Sequence, residues 1–353
     1  MTNEYFELNC LVCNQRVLCI PIYSCFDYKT RKLNFKADGN VNRVLTTFYY
    51  VNTYQSLDIM APSTGNNISW FIDSVHNISD NRANVIFNDE IHSSSKIQRD
   101  LGFAKRVVES IDFKKYDVII CDSQFLTLEI LDKHKADVQV IYWCPVCAVD
   151  GKTRDFLEPH RSIDKYIFSR VDYTIISSKD QLDYINKLRD ECQCEMTKTI
   201  LIEQLIDRQL DVFEYSTNED LLIELDKYSD WKIIFLPFRL TDMGYKFNSI
   251  LTYLTNKFKD NDNCHVVVLY TNPNNCNIDS LAKNEDELRF IHERFIQVSK
   301  DRDTYYTIID HYGVFIPYFE DTRFINHAAI YEFRDSCAQV VNNLEDFDKI
   351  LTK

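Results

Sequence analysis

Residues 117–121, DVIIC, form a short apolar run that the polar pair Asp122 and Ser123 separates from a helical pattern at 124–133. A continuous apolar run of this length, bounded by polar residues, predicts a strand buried on both faces. A buried strand followed at once by a helix is the repeating unit of parallel β-α-β structure. This stretch therefore predicts an α/β fold with a parallel sheet covered by helices.

The same pattern recurs along the chain in two series. Strands are predicted at 16–23, 57–61, 138–143 and 172–177, and then at 232–237, 264–270, 314–317 and 338–341. Helices are predicted at 40–54, 95–111, 124–133, 179–188, 248–258, 285–298, 325–334 and 344–351. A polar, acidic stretch at 216–230 separates the series. A chain of 353 residues has room for two domains. We therefore expect two doubly wound domains, residues 1–220 and 221–353, facing each other across a cleft.

Composition limits the function classes. The chain has 40 basic and 54 acidic residues, for a net charge of −14, which excludes a protein that coats nucleic acid through bulk charge. A local basic patch stays compatible with that balance. No apolar run approaches the ~20 residues of a membrane span, and the N-terminus lacks a signal-peptide pattern. We expect a cytoplasmic protein whose twelve cysteines are reduced.

The segment 236–247, LPFRLTDMGYKF, directly follows a predicted strand of the second series. Arg239 lies at the strand end, Lys246 opens the next helix, and Gly244 allows a tight turn between them. Two cations at a helix N-terminus suit a diphosphate. The alternative is that both are solvent-exposed charges on a loop.

A later helical stretch carries Glu332, in the segment 315–341. A carboxylate offers only acceptors, so it suits the two hydroxyls of a ribose. An exposed helix glutamate is the alternative.

These two segments, in this order, resemble glycosyltransferases of the GT-B fold, and FRLTDMGYK with INHAAIYEFRDSCAQVV is similar to phage DNA glucosyltransferases that modify hydroxymethylcytosine. The resemblance implies that Arg239 and Lys246 bind the donor diphosphate and that Glu332 holds the nucleotide ribose. It implies a UDP-sugar as co-substrate, no tightly bound cofactor, and double-stranded DNA as acceptor in the host cytoplasm. We further expect a monomer with no membrane partner and no metal site among the assigned residues; any divalent-metal requirement stays open.

The segment 28–36, YKTRKLNFK, clusters cations in an otherwise acidic chain. We predict that it contacts DNA phosphates, with Tyr28 and Phe35 placed to stack on bases. A solvated loop is the equal alternative. The cations are Lys29, Arg31, Lys32 and Lys36. Lys96, Arg99, Lys105 and Arg106 form a weaker group, predicted to be a solvated face.

Inverting sugar transfer needs a carboxylate that takes the acceptor's proton. Asp150, which follows a first-domain strand, is the first candidate, and the resemblance places an acidic loop there. Asp122 is the rival, with helix capping as its structural alternative. His160 is a third candidate.

Two Cys-x-x-Cys pairs, Cys10/Cys13 and Cys144/Cys147, suggest redox or zinc chemistry as minor alternatives. The other competing functions are a GT-B enzyme with a non-DNA acceptor and a noncatalytic DNA- or host-binding protein on the same scaffold.

Overall fold

The computed structural model describes most of the chain as two compact units. The described residues are 3–23, 26–27, 32–92, 101–144, 160–176, 179–193, 195–202, 214–237, 244–258, 265–272, 277–299, 301–317, 336–341 and 343–352. The first unit ends, among these residues, at 202, and the second begins at Glu214. The predicted strands at 117–121 and 232–237 lie in different sheets. The predicted domain limits, 1–220 and 221–353, stay a prediction.

The first unit alternates strands and helices. Its strands are β1 Arg16–Ile20, β2 Phe26–Asp27, β3 Lys32–Asn34, β4 Ser56–Ala61, β5 Gly65–Asn66, β6 Ala83–Phe87, β7 Val118–Cys121, β8 Gln139–Trp143, β9 Tyr173–Ile176 and β10 Lys198–Leu201. Its helices are α1 Asn3–Val12, α2 Gly39–Tyr50, α3 Ile68–Ile78, α4 Leu101–Glu109, α5 Gln124–His134, α6 His160–Phe168 and α7 Lys179–Cys192. Single 3₁₀ turns lie at Phe35–Ala37, Asp89–His92 and Phe113–Lys115.

Seven of these strands form one sheet in the order β10-β9-β8-β7-β1-β4-β6, and every pair in it is parallel. The chain adds β4 and β6 on one side of β1 and then crosses to β7 on the other side. The order therefore reverses between β1 and β7, where Ile20 pairs with Cys121. In doubly wound sheets, ligands bind beyond the carboxyl ends of the strands at such a reversal. We call that side of the sheet the carboxyl edge.

A small three-stranded sheet, in the order β2-β3-β5, lies in the segments that follow β1 and β4. Phe35, next to β3, stacks on Phe71 of α3 with ring centroids 4.7 Å apart, and its edge meets Tyr23 at 5.6 Å. All three rings are buried. This aromatic cluster attaches the small sheet to the core of the first unit.

The second unit repeats the design on a smaller scale. Its strands are β11 Lys232–Leu236, β12 Val266–Thr271, β13 Phe295–Val298, β14 Phe315–Pro317 and β15 Gln339–Val341. Its helices are α8 Glu219–Asp226, α9 Gly244–Phe258, α10 Glu285–Arg294, α11 Arg302–His311 and α12 Leu344–Thr352, with a 3₁₀ turn at Ile278–Leu281. The sheet order is β13-β12-β11-β14-β15, all parallel, so the order reverses beside β11. β11 is the strand at this switch point.

Alternate residues of β11 pack on opposite faces of the second sheet. Ile234 and Leu236 belong to one apolar cluster, and Ile233 and Phe235 belong to another. Side chains of successive strand residues point to opposite faces, so a strand covered on both sides must be apolar throughout. This confirms the fold class: an α/β protein with two doubly wound parallel sheets.

One predicted element is wrong in part, and several were not predicted. The helix expected at 285–298 ends at Arg294, and Phe295 begins β13 by pairing with Val268 of β12. The sequence pattern does not predict the strands β2, β3, β5, β6, β10 and β13 or the helices α1, α3, α6, α8 and α11. The helix predicted at 325–334 lies outside the described residues. Among the described helices, none is long and apolar enough to cross a membrane.

Candidate active site

Asp122 lies at the switch point of the first sheet, one residue beyond the end of β7. Its Oδ2 accepts a hydrogen bond from Nη2 of Arg43 at 2.6 Å. Arg43 belongs to α2, the helix that lies between β1 and β4 in the chain. Its bond to Asp122 therefore joins α2 to the end of β7, the strand on the other side of the reversal. Only 8% of the Arg43 side chain and 2% of the Asp122 side chain are exposed. The switch point is therefore occupied by a buried ion pair.

Trp143, the last residue of β8, contacts the same guanidinium. The Cζ of Arg43 lies 4.4 Å from the centroid of the Trp143 ring, within the range of a cation–π contact. The indole is itself buried. Because one side of the guanidinium faces the ring and one nitrogen binds Asp122, the orientation of Arg43 is fixed by two different strands.

Among the residues that the structure describes, three polar atoms of this cluster find no hydrogen-bond partner of normal geometry: Arg43 Nε, Asp122 Oδ1 and Trp143 Nε1. Buried polar groups in folded proteins nearly always have a partner. Leaving one without a partner typically costs ~1–3 kcal/mol. Two N–H donors and one carboxylate oxygen therefore lie beside one ion pair and could each bind a polar atom. A bound molecule or solvent could supply these partners.

Burial raises the pKa of Asp122 to about 7, although the charge of Arg43 and the backbone N–H of Ile22 oppose the rise. That N–H does not meet Oδ1 with normal hydrogen-bond geometry. A carboxyl group whose pKa lies near neutrality can take up and release a proton at neutral pH. The cluster is thus suited to proton transfer, and perturbed carboxyl groups of this kind concentrate in active sites.

Other titratable groups face Asp122. Asp38, the buried N-cap of α2, accepts hydrogen bonds from the backbone N–H groups of Asn40 and Val41, and its charge contributes to the raised pKa of Asp122. Burial also raises the pKa of Cys19 and Tyr23, and it raises that of Cys121 to about 12. These thiols and this phenol are therefore neutral at pH 7, and Arg43 supplies the charge that compensates the carboxylates.

The structural alternative for Asp122 is helix N-capping together with Ser123, and the structure assigns the cap to Ser123. Ser123 is the N-cap of α5, and its side chain accepts the hydrogen bond from the backbone N–H of Leu126 at 3.3 Å. Asp122 is left to pair with Arg43. Asp150, the first candidate for the base, lies outside the described residues. His160 begins α6, and its side chain lies outside the part of the chain that is described.

The predicted donor-binding residues belong to segments that are only partly described. Arg239 and Glu332 lie outside the described residues. Lys246 belongs to the first turn of α9, which starts at Gly244, but its side chain is not among those described. The roles of Arg239, Lys246 and Glu332 stay predictions.

The basic stretch at 28–36 divides into described and undescribed parts. Lys29 and Arg31 lie outside the described residues, and Lys32 begins β3 with its side chain undescribed. Lys36 is exposed, with its Nζ 5.7 Å from the centroid of the Trp70 ring. The expectation that Phe35 stacks on bases is wrong, because its ring is fully buried against Phe71.

The second basic group and the cysteines also have described members. Arg106 pairs with Glu90 at 2.8 Å on the surface, which fits a solvated face. Cys10 and Cys13 are exposed and free, whereas Cys144 is buried at the end of β8. Among the described residues, no group of three or more His, Cys, Asp or Glu side chains could hold a metal ion.

Arg43 and Trp143 were not identified as site residues from the sequence. One signal was present: Arg43 interrupts the apolar positions Val41, Val44 and Leu45 on a helix whose residues 41–48 are all buried. A cation inside a buried helical segment needs an anionic partner. The sequence does not say which carboxylate that partner is, because Asp122 is distant along the chain.

A scan against protein-family models finds no match, and a search of curated proteins finds none. Solved structures do match. Sucrose-phosphate synthase from Thermosynechococcus elongatus is 14% identical with a TM-score of 0.56, covering 93% of this chain and 81% of that chain. HepE from Anabaena, in complex with UDP, is 12% identical with a TM-score of 0.52, covering 93% of this chain and 80% of that chain.

A trehalose-6-phosphate protein from E. coli, bound with UDP-2-fluoro glucose, is 9% identical with a TM-score of 0.54, covering 90% of this chain and 81% of that chain. The chain has the GT-B fold. At these identities the likeness shows the fold alone. None of the three structures is a phage DNA glucosyltransferase, so that finer resemblance stays a prediction.

Proposed function

We propose that this GT-B chain is a glycosyltransferase that moves a sugar from a UDP-sugar to an acceptor hydroxyl. The observation that carries the proposal is a buried carboxyl group, Asp122, with a pKa of about 7 at the switch point of the first sheet. Two of the matching structures support the donor, because one contains UDP and the other a UDP-sugar analogue.

For the donor, we propose that Arg239 and Lys246 bind the diphosphate and that Glu332 accepts hydrogen bonds from the ribose. Support comes from the place of Lys246 in the first turn of α9, where backbone N–H groups and the helix dipole favour an anion. Arg239 follows the last residue of β11 by three positions in the sequence, and β11 lies at the reversal of the second sheet. Ligands of doubly wound sheets bind at that position.

In the proposed reaction, the acceptor oxygen forms a bond to the anomeric carbon of the sugar. The bond between that carbon and the diphosphate oxygen breaks, and UDP leaves with the electron pair. The acceptor's proton passes to a carboxylate of the first unit. Asp122 and Asp150 are both proposed for this role, and Asp122 has the support of its raised pKa and its place at the switch point.

For the acceptor, we propose hydroxymethylated pyrimidine in phage DNA, with a small molecule or glycan as the alternative. Support for DNA comes from the resemblance of the C-terminal segments and from Lys36, which is an exposed cation. Phe35 gives no support, because it is buried. The acceptor is therefore the part of the proposal that the experiment must decide.

The test is a panel of UDP-sugars mixed with hydroxymethylcytosine DNA, cytosine DNA or no acceptor. UDP release and the mass of the nucleosides are measured. We expect UDP release with at least one sugar, and we expect Asp122→Asn or Asp150→Asn to lower it ~10²–10⁴-fold, as loss of a general base does. UDP release without modified nucleosides would overturn the DNA acceptor alone. No UDP release with any sugar would overturn the glycosyltransferase.

A further inference from the structure

Arg43 occupies a position that the proposed reaction leaves unexplained. A buried ion pair is commonly no more stable than an apolar replacement of the same volume, because both charges lose their hydration. Arg43 and Asp122 nevertheless meet at 2.6 Å at the one place in the first sheet where ligands are expected. A functional reason for the pair therefore merits a test.

We propose that Arg43 is a positioning residue for Asp122, and that Trp143 holds Arg43 in place. The inference rests on the proposed function, in which Asp122 takes the acceptor's proton. Arg43 binds Oδ2 and leaves Oδ1 as the oxygen that receives the proton. Arg43 and Trp143 touch no reacting atom in this scheme and act through the carboxylate.

Geometry supports this division of the carboxylate. A carboxylate oxygen that accepts a charged hydrogen bond from Arg is held in one orientation. The second oxygen, Oδ1, is buried and accepts no hydrogen bond of normal geometry from the part of the chain that is described. Because an unpartnered buried oxygen is rare, an incoming hydroxyl that donates to Oδ1 would complete the site. Trp143 limits the movement of the guanidinium by contacting its face.

The surroundings make Arg43 the group that controls the charge of Asp122. The titratable groups that interact with Asp122 are Asp38 from the start of α2, Cys19 and Tyr23 from β1 and the segment after it, Cys121 from β7, and Tyr142 from β8. The charge of Asp38 acts on Asp122, whereas the charge of Asp122 raises the pKa of the two thiols and the two phenols. Asp38 disfavours the carboxylate, and burial keeps the thiols and phenols neutral. Arg43 is therefore the cation, among these neighbours, that favours the ionised form of Asp122.

The experiment follows UDP release from a UDP-sugar with water as acceptor, so that no acceptor needs to be identified first. The proteins are the full-length wild type, Arg43→Gln, Arg43→Lys, Asp122→Asn and the double variant Arg43→Gln/Asp122→Asn. We expect Arg43→Gln to lower turnover ~10-fold or more and to move the acidic limb of the pH–rate profile to higher pH. Arg43→Lys retains the cation, so it should keep the limb near its wild-type position.

The double variant supplies the decisive comparison. If Arg43 acts through Asp122, changing Arg43 in the Asp122→Asn background should have little further effect on turnover. The double variant also removes both buried charges, so it stays informative where Arg43→Gln alone does not fold. A matched control is Arg16→Gln, which removes the partner of Asp117 at the opposite edge of the sheet and should leave the pH profile unchanged.

Different results would overturn the positioning role of Arg43 and the proposed glycosyltransferase function. Additive losses in the double variant, or an unmoved acidic limb in Arg43→Gln, overturn the positioning role while the glycosyltransferase stands. Wild-type protein that binds UDP but never releases it from a UDP-sugar overturns the proposed function, and this inference falls with it. UDP affinity is measured for each variant, because a positioning role predicts that it is unchanged.

Discussion

The two ends of strand β7 carry the same kind of ion pair in opposite surroundings. Before the strand, Asp117 accepts two hydrogen bonds from the guanidinium of Arg16, 2.7 Å from Nη2 and 3.0 Å from Nε, and a third from the Arg16 backbone N–H at 2.9 Å. After the strand, Asp122 accepts one from Arg43 at 2.6 Å. The side chains of the first pair are 42% and 35% exposed, whereas those of the second are 8% and 2% exposed.

The pKa values of the two carboxyl groups move in opposite directions. Hydrogen bonds from Arg16 lower the pKa of Asp117, since water still reaches the group and burial costs little. Burial raises the pKa of Asp122 to about 7 in spite of Arg43. The hydrogen bonds with Arg16 therefore dominate the pKa of Asp117, at the edge of the sheet where β7 begins. Desolvation dominates the pKa of Asp122, at the carboxyl edge. The carboxyl edge, where ligands are expected, is built at a cost to stability.

The largest expected effect is the removal of one buried partner. Asp122→Ala leaves Arg43 buried without an anion, and breaking a buried pair in this way typically costs ~3–5 kcal/mol. Asp117→Ala leaves Arg16 in contact with water and should cost far less. Urea unfolding of both variants, followed by circular dichroism, measures the difference. Equal losses would contradict the contrast between the two edges.

The same contrast explains what could be predicted from the sequence. The strands that enter the centres of the sheets are uniformly apolar, as at Val118–Cys121 and Val266–Thr271, and their positions were predicted to within a residue or two. The sequence pattern predicts the short strand β13 as the end of a helix, because Phe295–Val298 continues the helical spacing of α10. The strand forms only through its pairing with β12. The local spacing of apolar residues carries no information about a pairing strand that lies elsewhere in the chain.

The candidate site shows the same limit. Asp122 could be predicted, since a carboxylate directly after a buried strand falls at the carboxyl edge of any parallel sheet. Its pairing with Arg43 could not be predicted, because the pair forms only when α2 packs against the end of β7. Phe35 shows the converse: clustered among cations in the sequence, it was expected to stack on bases, and it packs instead on Phe71.

The second-largest expected effect is the contribution of Asp122 to the pH dependence of the protein's stability. The pKa of Asp122 is about 7 in the folded protein and ~3.9 in an unfolded chain, so the folded state holds the extra proton between these values. Stability contributed by this group is full below pH ~4 and is lost as the pH rises towards 7. For one proton the slope is at most ~1.4 kcal/mol per pH unit. Asp164, whose pKa burial also raises to about 7, acts in the same direction.

Urea unfolding of wild type and Asp122→Asn at intervals from pH 4 to 7 measures this slope. The loss of stability with rising pH should be smaller in Asp122→Asn, with Asp164 supplying the part that stays. Asp117→Asn serves as the opposite case. The pKa of Asp117 is lowered, so its contribution is lost as the pH falls below ~4, and the slope between pH 4 and 7 should be unchanged. A slope in Asp122→Asn equal to that of wild type would show that the carboxylate is better solvated than its burial indicates.

The smallest expected effect is the change in stability when a glycine is replaced by alanine. One glycine lies beside the carboxyl edge of the first sheet, and the other lies at the amino end of a strand of the second sheet. A Cβ added to Gly65, in β5 after the carboxyl end of β4, would lie 2.5 Å from Cε2 of Phe35. Phe35 cannot move away easily, because it is stacked on Phe71 and contacts Tyr23. Overpacking of this kind typically costs ~1–3 kcal/mol, so Gly65→Ala should destabilise the protein by that amount.

Gly313 is the matched control, two residues before β14. A Cβ there meets no atom within 4 Å, and its φ is not positive, so Gly313→Ala should be neutral or stabilise by up to ~1 kcal/mol. Thermal unfolding of both variants tests the pair. The double variant Gly65→Ala/Phe35→Leu then identifies the cause: if the ring is the obstacle, adding Phe35→Leu should cost less in the Gly65→Ala background than in wild type. Additive losses would place the strain on the backbone oxygen of Leu33, which lies 3.2 Å from the added Cβ, rather than on the aromatic cluster.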